Sequence, residues 1–270
     1  MSAIDAPPGR LDIGRVISET FAVIGRNIAT FAVLGVVLSG IPTGIVTFFQ
    51  YGTMKGQMAA VQSGTFNFGA GYFEAVGLGG LVALITTSIL QGALIYATVQ
   101  DLNGQRASVG DSLATGLRNF LPLIGVSILF ALAVGFGFVF LFVPGIIIAC
   151  MWCVAVPSLI ADRTGVFGAF TRAGQLTKGN RWAIFGLGVV IVIVLIVVGA
   201  VFGAITGVSA IGAGGADAIA RALSPISLVL QVVQSTISGV IGATFAAVLY
   251  VELRRARDGA GPQWLADIFN

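Results

Sequence analysis

The chain has 270 residues, of which 57% are apolar and only 9% charged; the net charge is +3 and the mean hydropathy +1.00. A soluble domain of this length presents a surface rich in charge, so water is excluded as the solvent for most of it. With no histidine, a Ser-His-Asp triad, a Cys-His pair and any His-ligated metal are excluded, and the scattered basic residues lack the clustered face that nucleic acid requires.

The first element is amphipathic. Between Asp12 and Asn27, Ile13, Val16, Ile17, Phe21 and Ile24 fall at helical spacing, while Asp12, Arg15, Glu19 and Arg26 take the other face. That pattern predicts a helix lying in a membrane interface. Six apolar segments follow, at 28–50, 76–100, 120–142, 145–161, 182–207 and 225–251; a span needs ~20 apolar residues to cross ~30 Å of hydrocarbon. The third and fourth form one run from Phe120 to Ala161, too long for a single span. Val143-Pro144-Gly145 is the expected break, because Pro lacks an N–H and Gly permits turn dihedrals. No cleavable leader is expected, since the first apolar run begins near Ile28 behind a mixed-charge segment.

Two further interfacial helices are predicted between spans, at 108–119 and 166–178, beside the first at 12–27. Ser108 is a plausible N-cap for the second, with Val109, Leu113, Leu117 and Phe120 on its apolar face. Gly168 and Gly174 interrupt the third. Each helix adjoins a basic residue next to Asn, as Arg26-Asn27, Arg118-Asn119 and Asn180-Arg181. The chain therefore reads as three helix-plus-hairpin units, about 11–100, 107–161 and 165–252, although any six-span protein also re-enters from the inside three times. The fold class is all-α, a single integral membrane domain.

Orientation follows from the basic residues. With both termini inside, twelve of the fourteen lie on the cytoplasmic side and only Lys55 and Arg221 outside, which the juxtamembrane Lys/Arg rule favours strongly. The Arg-rich, Gly- and Ala-rich composition suggests a bacterial source, so the expected location is a bacterial inner membrane. Of the outer loops, 51–75 carries Phe66, Phe68, Tyr72 and Phe73 as an expected aromatic belt. The other contains Gly212-Ala213-Gly214-Gly215, which lacks the Lys-Ser/Thr ending of a phosphate loop.

Reactive groups are sparse. None of the 11 carboxylates lies deep in a predicted span, so neither paired-carboxylate catalysis nor a proton relay is suggested. Cys150-Met151-Trp152-Cys153 has the spacing of a redox or zinc motif but no companion ligand, and reads as two buried thiols. In the sixth span Ser227, Gln231, Gln234, Ser235 and Ser238 recur at three or four, lining one face. Such a face either joins helices, at about 0.6–2 kcal/mol per polar contact, or forms a polar groove for a headgroup. Gly199, Gly203 and Gly207 make a small-residue ridge on the fifth span. Arg15, Arg26, Arg118, Arg172, Lys178 and Arg181 are the expected contacts with anionic headgroups. No catalytic residue, cofactor or metal is expected.

Val143-Pro144-Gly145-Ile146-Ile147-Ile148, Val156-Pro157-Ser158-Leu159-Ile160, Asp162-Arg163 and Leu176-Thr177-Lys178-Gly179-Asn180-Arg181-Trp182 together give the central block a distinctive pattern. It resembles the six-span membrane domain of bacterial glycerophosphoryl diester phosphodiesterases and of related stand-alone inner-membrane proteins. Tyr250-Val251-Glu252-Leu253-Arg254 is similar to that family's ending. The phosphodiesterase barrel of the fused members is not present, so the resemblance brings no active site. It implies a membrane-embedded accessory or scaffold module connected with lipid. The expected function is thus a non-enzymatic, lipid-associated inner-membrane protein, with membrane lipids and a cytoplasmic protein as partners. The alternative is a transport component that moves lipid or a small apolar solute.

Overall fold

The computed structural model describes residues 11–46, 70–140, 142–206 and 224–258. Residues 51–69 of the aromatic loop with Phe66 and Phe68, the Gly212–Gly215 connector and Gly207 lie outside the described residues, as do Arg10, Lys55 and Arg221, whereas Tyr72 and Phe73, expected in that loop, fall in the first turn of a helix that begins at Ala70. Among the described residues every regular element is helical. Six segments are long and apolar enough to cross a membrane: Ile28–Val46, Gly77–Leu102, Val109–Val139, Val143–Asp162, Arg181–Ile205 and Val229–Arg257. The protein is a multi-pass membrane protein.

Helix α1 (Ile13–Arg26) is capped by Asp12, whose carboxylate accepts the Arg15 N–H at 3.0 Å. It ends at Asn27, and α2 begins at Ile28, continuing through a π-helical stretch, Val36–Gly40, to Val46. α3 is Ala70–Leu102 and α4 is Val109–Phe140. α5 (Phe142–Trp152) and α6 (Ala155–Asp162) share the fourth span; α7 is Gly165–Thr177, α8 Arg181–Thr206 and α9 Pro225–Asp258.

The core sits where α3 and α9 meet. Leu94, Ile95, Ala97 and Val99 of α3 are buried, as are Ala247, Val248, Leu249, Tyr250 and Leu253 of α9. α4 and α8 pack around them with their outer faces bare: Leu121, Leu132 and Phe136 on one and Val192, Ile193, Ile196 and Ile205 on the other are exposed. In a bilayer these faces meet acyl chains, which are as apolar as they are.

Glycine brings the helices together at two crossings. A Cβ on Gly116 of α4 would meet the Ile89 carbonyl oxygen of α3, and Gly92 lies opposite with the Gly116 Cα 3.0 Å from its own would-be Cβ. Gly137 and Gly145 stand in the same relation across the α4–α5 hairpin, at 2.7 Å. On the ridge foreseen on the fifth span, a Cβ at Gly199 would stand 3.4 Å from the Gln234 amide nitrogen.

Three expectations change. α4 ends at Phe140 and α5 begins at Phe142, so Val143-Pro144-Gly145 lies in the first turn of α5 and not between the helices. Pro144 acts four residues back: its ring clashes with the carbonyl of Phe140, where α4 stops. The fourth span is itself broken at Cys153-Val154, because Pro157 does the same to Cys153. Finally, residues 108–119 are not a separate interfacial helix. Ser108 caps them as foreseen, accepting the Asp111 N–H at 3.0 Å, but the helix runs unbroken into the third span.

The other two predicted interfacial helices are distinct elements, yet their inner faces are buried in protein. α1 buries Val16, Thr20 and Val23 against α9, leaving Ile13 and Phe21 exposed. α7 buries Ala169, Ala173 and Leu176 against α4, α5 and α6, and leaves Phe167 outside. The three Arg/Asn pairs occupy unlike settings: a break at 26–27, the middle of a helix at 118–119 and a helix start at 180–181.

Candidate functional site

The charges gather at one end of the helices, where three carboxylates anchor the structure. Asp101 lies in the last turn of α3 and accepts from Arg26 at 2.6 Å and from the Asn27 amide at 2.6 Å. Asn27 thus ends α1 and ties the bend to α3 with one side chain. Asp162 closes α6 and is gripped by Arg254 of α9 at 2.9 Å and Arg172 of α7 at 3.4 Å. Glu252 of α9 is met by Arg255 at 2.6 Å and by Arg15 of α1 at 3.7 Å.

All three acids sit near helix C-termini, where the dipole disfavours negative charge. The arginines from other elements offset that cost. Arg26, hydrogen-bonded to Asp101 and then to Glu19, is held above its ordinary guanidinium value. Two backbone contacts complete the closure: the Asn180 side chain accepts the Leu11 N–H at 3.3 Å, and Arg257 donates to the Lys178 carbonyl at 3.4 Å.

The headgroup candidates therefore divide. Arg15, Arg26 and Arg172 are committed to carboxylates of the protein. Lys178 is exposed in the turn before α8. Arg181 lines an apolar groove of about 410 Å³ between α5 and α8, beside Trp182 and Phe185. Arg118 lies in a cleft of about 310 Å³ between α4 and the α6–α7 turn, with Thr115, Asn119, Leu159, Arg163 and Gly165 on its walls. No ion pair links Arg118 or Arg163 to a carboxylate among the described residues.

The polar face of the sixth span meets different neighbours along its length. Ser227 is buried at the start of α9 and donates to the Ser224 carbonyl at 2.7 Å; Gln231 is exposed. Gln234 faces Gly199 of α8, and Ser235 lies 3.3 Å from Ser39 in the π-helical stretch of α2. Ser238 opens on a cavity of about 410 Å³ bounded by α3, α4, α9 and the α5–α6 break, with Gln91, Ser127 and Cys153 also on its wall. The five residues thus join helices at two points and reach a cavity at a third. They do not form one continuous groove.

The break in the fourth span is satisfied locally. The Met151 carbonyl, left without a helical donor, lies 3.1 Å from the Thr177 hydroxyl of α7. Trp152 and Phe170 stack edge to face at 4.8 Å across the same junction. Cys150 and Cys153 are free thiols, with the Cys153 Sγ–H directed at the Cys150 carbonyl at 3.3 Å.

A family model described as a domain of unknown function (DUF7847) matches residues 157–253. No curated protein and no solved structure matches the chain. The matched segment begins in α6 and ends in α9, so it contains Asp162, Arg163, Arg172 and Glu252, while the first three spans lie before it.

Asp101, Asp162, Glu252, Arg163 and Arg254 were not foreseen as site residues. Asp162-Arg163 stood in the quoted central block, which was the one available signal. The pairing itself joins residues 75 and 92 positions apart, a separation that composition and periodicity do not report.

Proposed function

We propose that the protein is a non-enzymatic scaffold of a bacterial inner membrane, with its charged end in the cytoplasm and lipid held around that end. The observation that carries this reading is the use of the carboxylates. Asp101, Asp162 and Glu252 are each engaged by arginines from other elements, so their charge holds helices together and is not left for proton transfer. The weight of basic residues at this end supports the inward orientation. The resemblance of the central block to the membrane domain of glycerophosphoryl diester phosphodiesterases fits a module associated with lipid. The exposed Trp182 beside Arg181 fits a side chain at headgroup level.

The test is purification of the full chain in nanodiscs, with mass spectrometry of all retained protein and lipid. A stoichiometric partner or retained lipid supports the scaffold; catalytic turnover of a retained lipid would overturn it. Orientation is tested by reporter fusions. Those at Gly64 and Gly214 should report outside, and those at Gly104, Gly174 and the C terminus inside; a cytoplasmic signal at Gly64 refutes the orientation.

A transport component is the second reading, favoured by the cavity beside Ser238 at the break of the fourth span. Irregular backbone at membrane depth is tolerated where it is buried in protein or lines a cavity. Lipid movement across proteoliposomes that is lost on filling the cavity, for example in Ser238→Leu, would favour this reading over the scaffold.

A further inference from the structure

We propose that the cleft between α4 and the α6–α7 turn binds a phosphate group, with Arg118 and Arg163 as its cationic walls and a glycerophospholipid as its source. This deepens the scaffold reading and rests on it for the lipid.

The cleft differs electrostatically from the rest of the charged end. No carboxylate lies on its wall. Asp162 is paired with Arg172 and Arg254, and Asp111 accepts from the Ser108 hydroxyl at 2.6 Å; neither forms an ion pair with Arg118 or Arg163. The two cations facing the cleft are thus matched by nothing on the described protein. Both arginines are exposed to solvent, so a phosphate can enter between them without displacing a protein partner, and guanidinium groups suit it because their forked donors match its oxygens.

The remaining features point the same way. Gly165 on the wall is the first residue of α7, a helix of 13 residues whose N-cap, Thr164, makes no side-chain cap. Its first N–H groups add donors and dipole on the side of Arg163. Asn119 spends one amide hydrogen on the Thr115 carbonyl at 2.9 Å, which leaves a second donor. Leu121 on α4, next to the cleft residue Pro122, and Phe167 on α7, two residues beyond the cleft residue Gly165, are 68% and 78% exposed. Large apolar side chains bare at the same level as a phosphate site are surfaces for acyl chains, and they favour a lipid over free phosphate.

Arg163 adopts a left-handed backbone, with φ of 50°. Glycine takes that conformation freely and arginine does not. Arg163→Gly therefore removes the cation without asking the turn to change, which separates binding from folding.

The experiment titrates the full chain, in a detergent free of phosphate, with three probes: dioctanoyl-phosphatidylglycerol, dioctanoylglycerol lacking the phosphate, and inorganic phosphate. The phospholipid should bind saturably and the phosphate-free lipid should not compete. Arg118→Gln and Arg163→Gly should each weaken binding about tenfold, the scale of one charge-assisted hydrogen bond. Arg106→Gln, in the exposed loop before α4, should leave binding unchanged, and Arg163→Gly should keep the wild-type thermal midpoint. Equal binding of inorganic phosphate and phospholipid would keep the phosphate site and refute a lipid as its source. Wild-type affinity in both cleft variants, or competition by the phosphate-free lipid, would overturn the site, as would an Arg163→Gly variant that loses binding only by melting early. If the wild-type chain retains neither lipid nor a stoichiometric partner on purification the scaffold reading fails; if it retains lipid and both variants retain as much, the cleft alone fails.

Discussion

Asp162 and Arg163 are consecutive residues with opposite settings. Asp162 points into the protein, where two arginines from α7 and α9 hold it and its side chain is 11% exposed. Arg163 faces the cleft on the other side of the turn, strained in backbone and joined to no described carboxylate. The same contrast divides the whole charged end. Arg15, Arg26, Arg172, Arg254 and Arg255 neutralise acids and fasten helices, whereas Arg118 and Arg163 are two of the basic residues joined to no described carboxylate, and they are the pair that shares one cleft. A basic bias in a membrane protein can therefore hide two populations, one structural and one available to a ligand. Only the acids tell them apart.

The sharpest way to break this contrast is at Asp162. Asp162→Ala leaves the Arg172 and Arg254 guanidinium groups, both about three-quarters or more covered, without their shared anion. Removing one side of a covered ion pair leaves an uncompensated charge, so a loss of about 3 kcal/mol is expected in an unfolding titration from mixed micelles. Adding Arg254→Ala should restore part of that loss, since the two residues act as a unit. Additive losses would show that the pair is not coupled.

A second test probes the packing below the charged end. Gly116 lies within the segment first read as an interfacial helix, and a Cβ there would press on the Ile89 carbonyl oxygen and stand 3.2 Å from the Ala93 nitrogen. Gly116→Ala is expected to destabilise by about 2 kcal/mol in the same titration, because neither contact is a side chain that can swing aside. Gly135→Ala, on the same helix with no atom within 4 Å, is the matched control and should be neutral.

Much of the fold was legible in the sequence, and the reasons are specific. The spans could be read because hydrocarbon thickness sets a length that composition reveals. Ser108 could be placed as a cap because capping is a contact over three residues; Asp12, read as a polar-face residue, proves to cap α1 in the same way. The break assigned to Val143-Pro144-Gly145 was misplaced and that before Pro157 was not foreseen, since a proline disturbs the carbonyl of the preceding turn and leaves its own position helical. The apolar spacing of α1 and α7 marked two helices, but what each face meets was not legible. Burial against α9 or against α4 looks the same as burial in lipid when only apolar spacing is visible. The candidate site was the least legible part. Arg118 was singled out as one headgroup contact among six, Arg163 was missed, and the acids that occupy the others lie far away in the chain.

Smaller effects test the polar contacts between spans. Ser39→Ala removes the partner that Ser235 meets at 3.3 Å, and about 0.6 kcal/mol is expected from interhelical hydrogen bonds in bilayers. Ser235 also donates to the Val232 carbonyl at 2.9 Å, so it keeps a partner when Ser39 is lost. A loss several times larger would mean that the contact also holds the π-helical stretch in register.

Gln231 should matter least. It shares the polar face of α9 with Gln234 and Ser235, yet it is exposed and lies on the wall of none of the three cavities described above. In a bilayer its amide faces headgroup or lipid, where it can reorient, and Gln231→Leu should change stability by no more than about 0.5 kcal/mol. Gln234→Leu is the informative companion, because its amide lies 3.4 Å from the position a Gly199 Cβ would take. A branched side chain there must displace α8 or itself. If Gln231→Leu proved the more harmful of the two, the polar residues of the sixth span would be acting together on something the helix contacts do not include, and the transport reading would gain its missing groove.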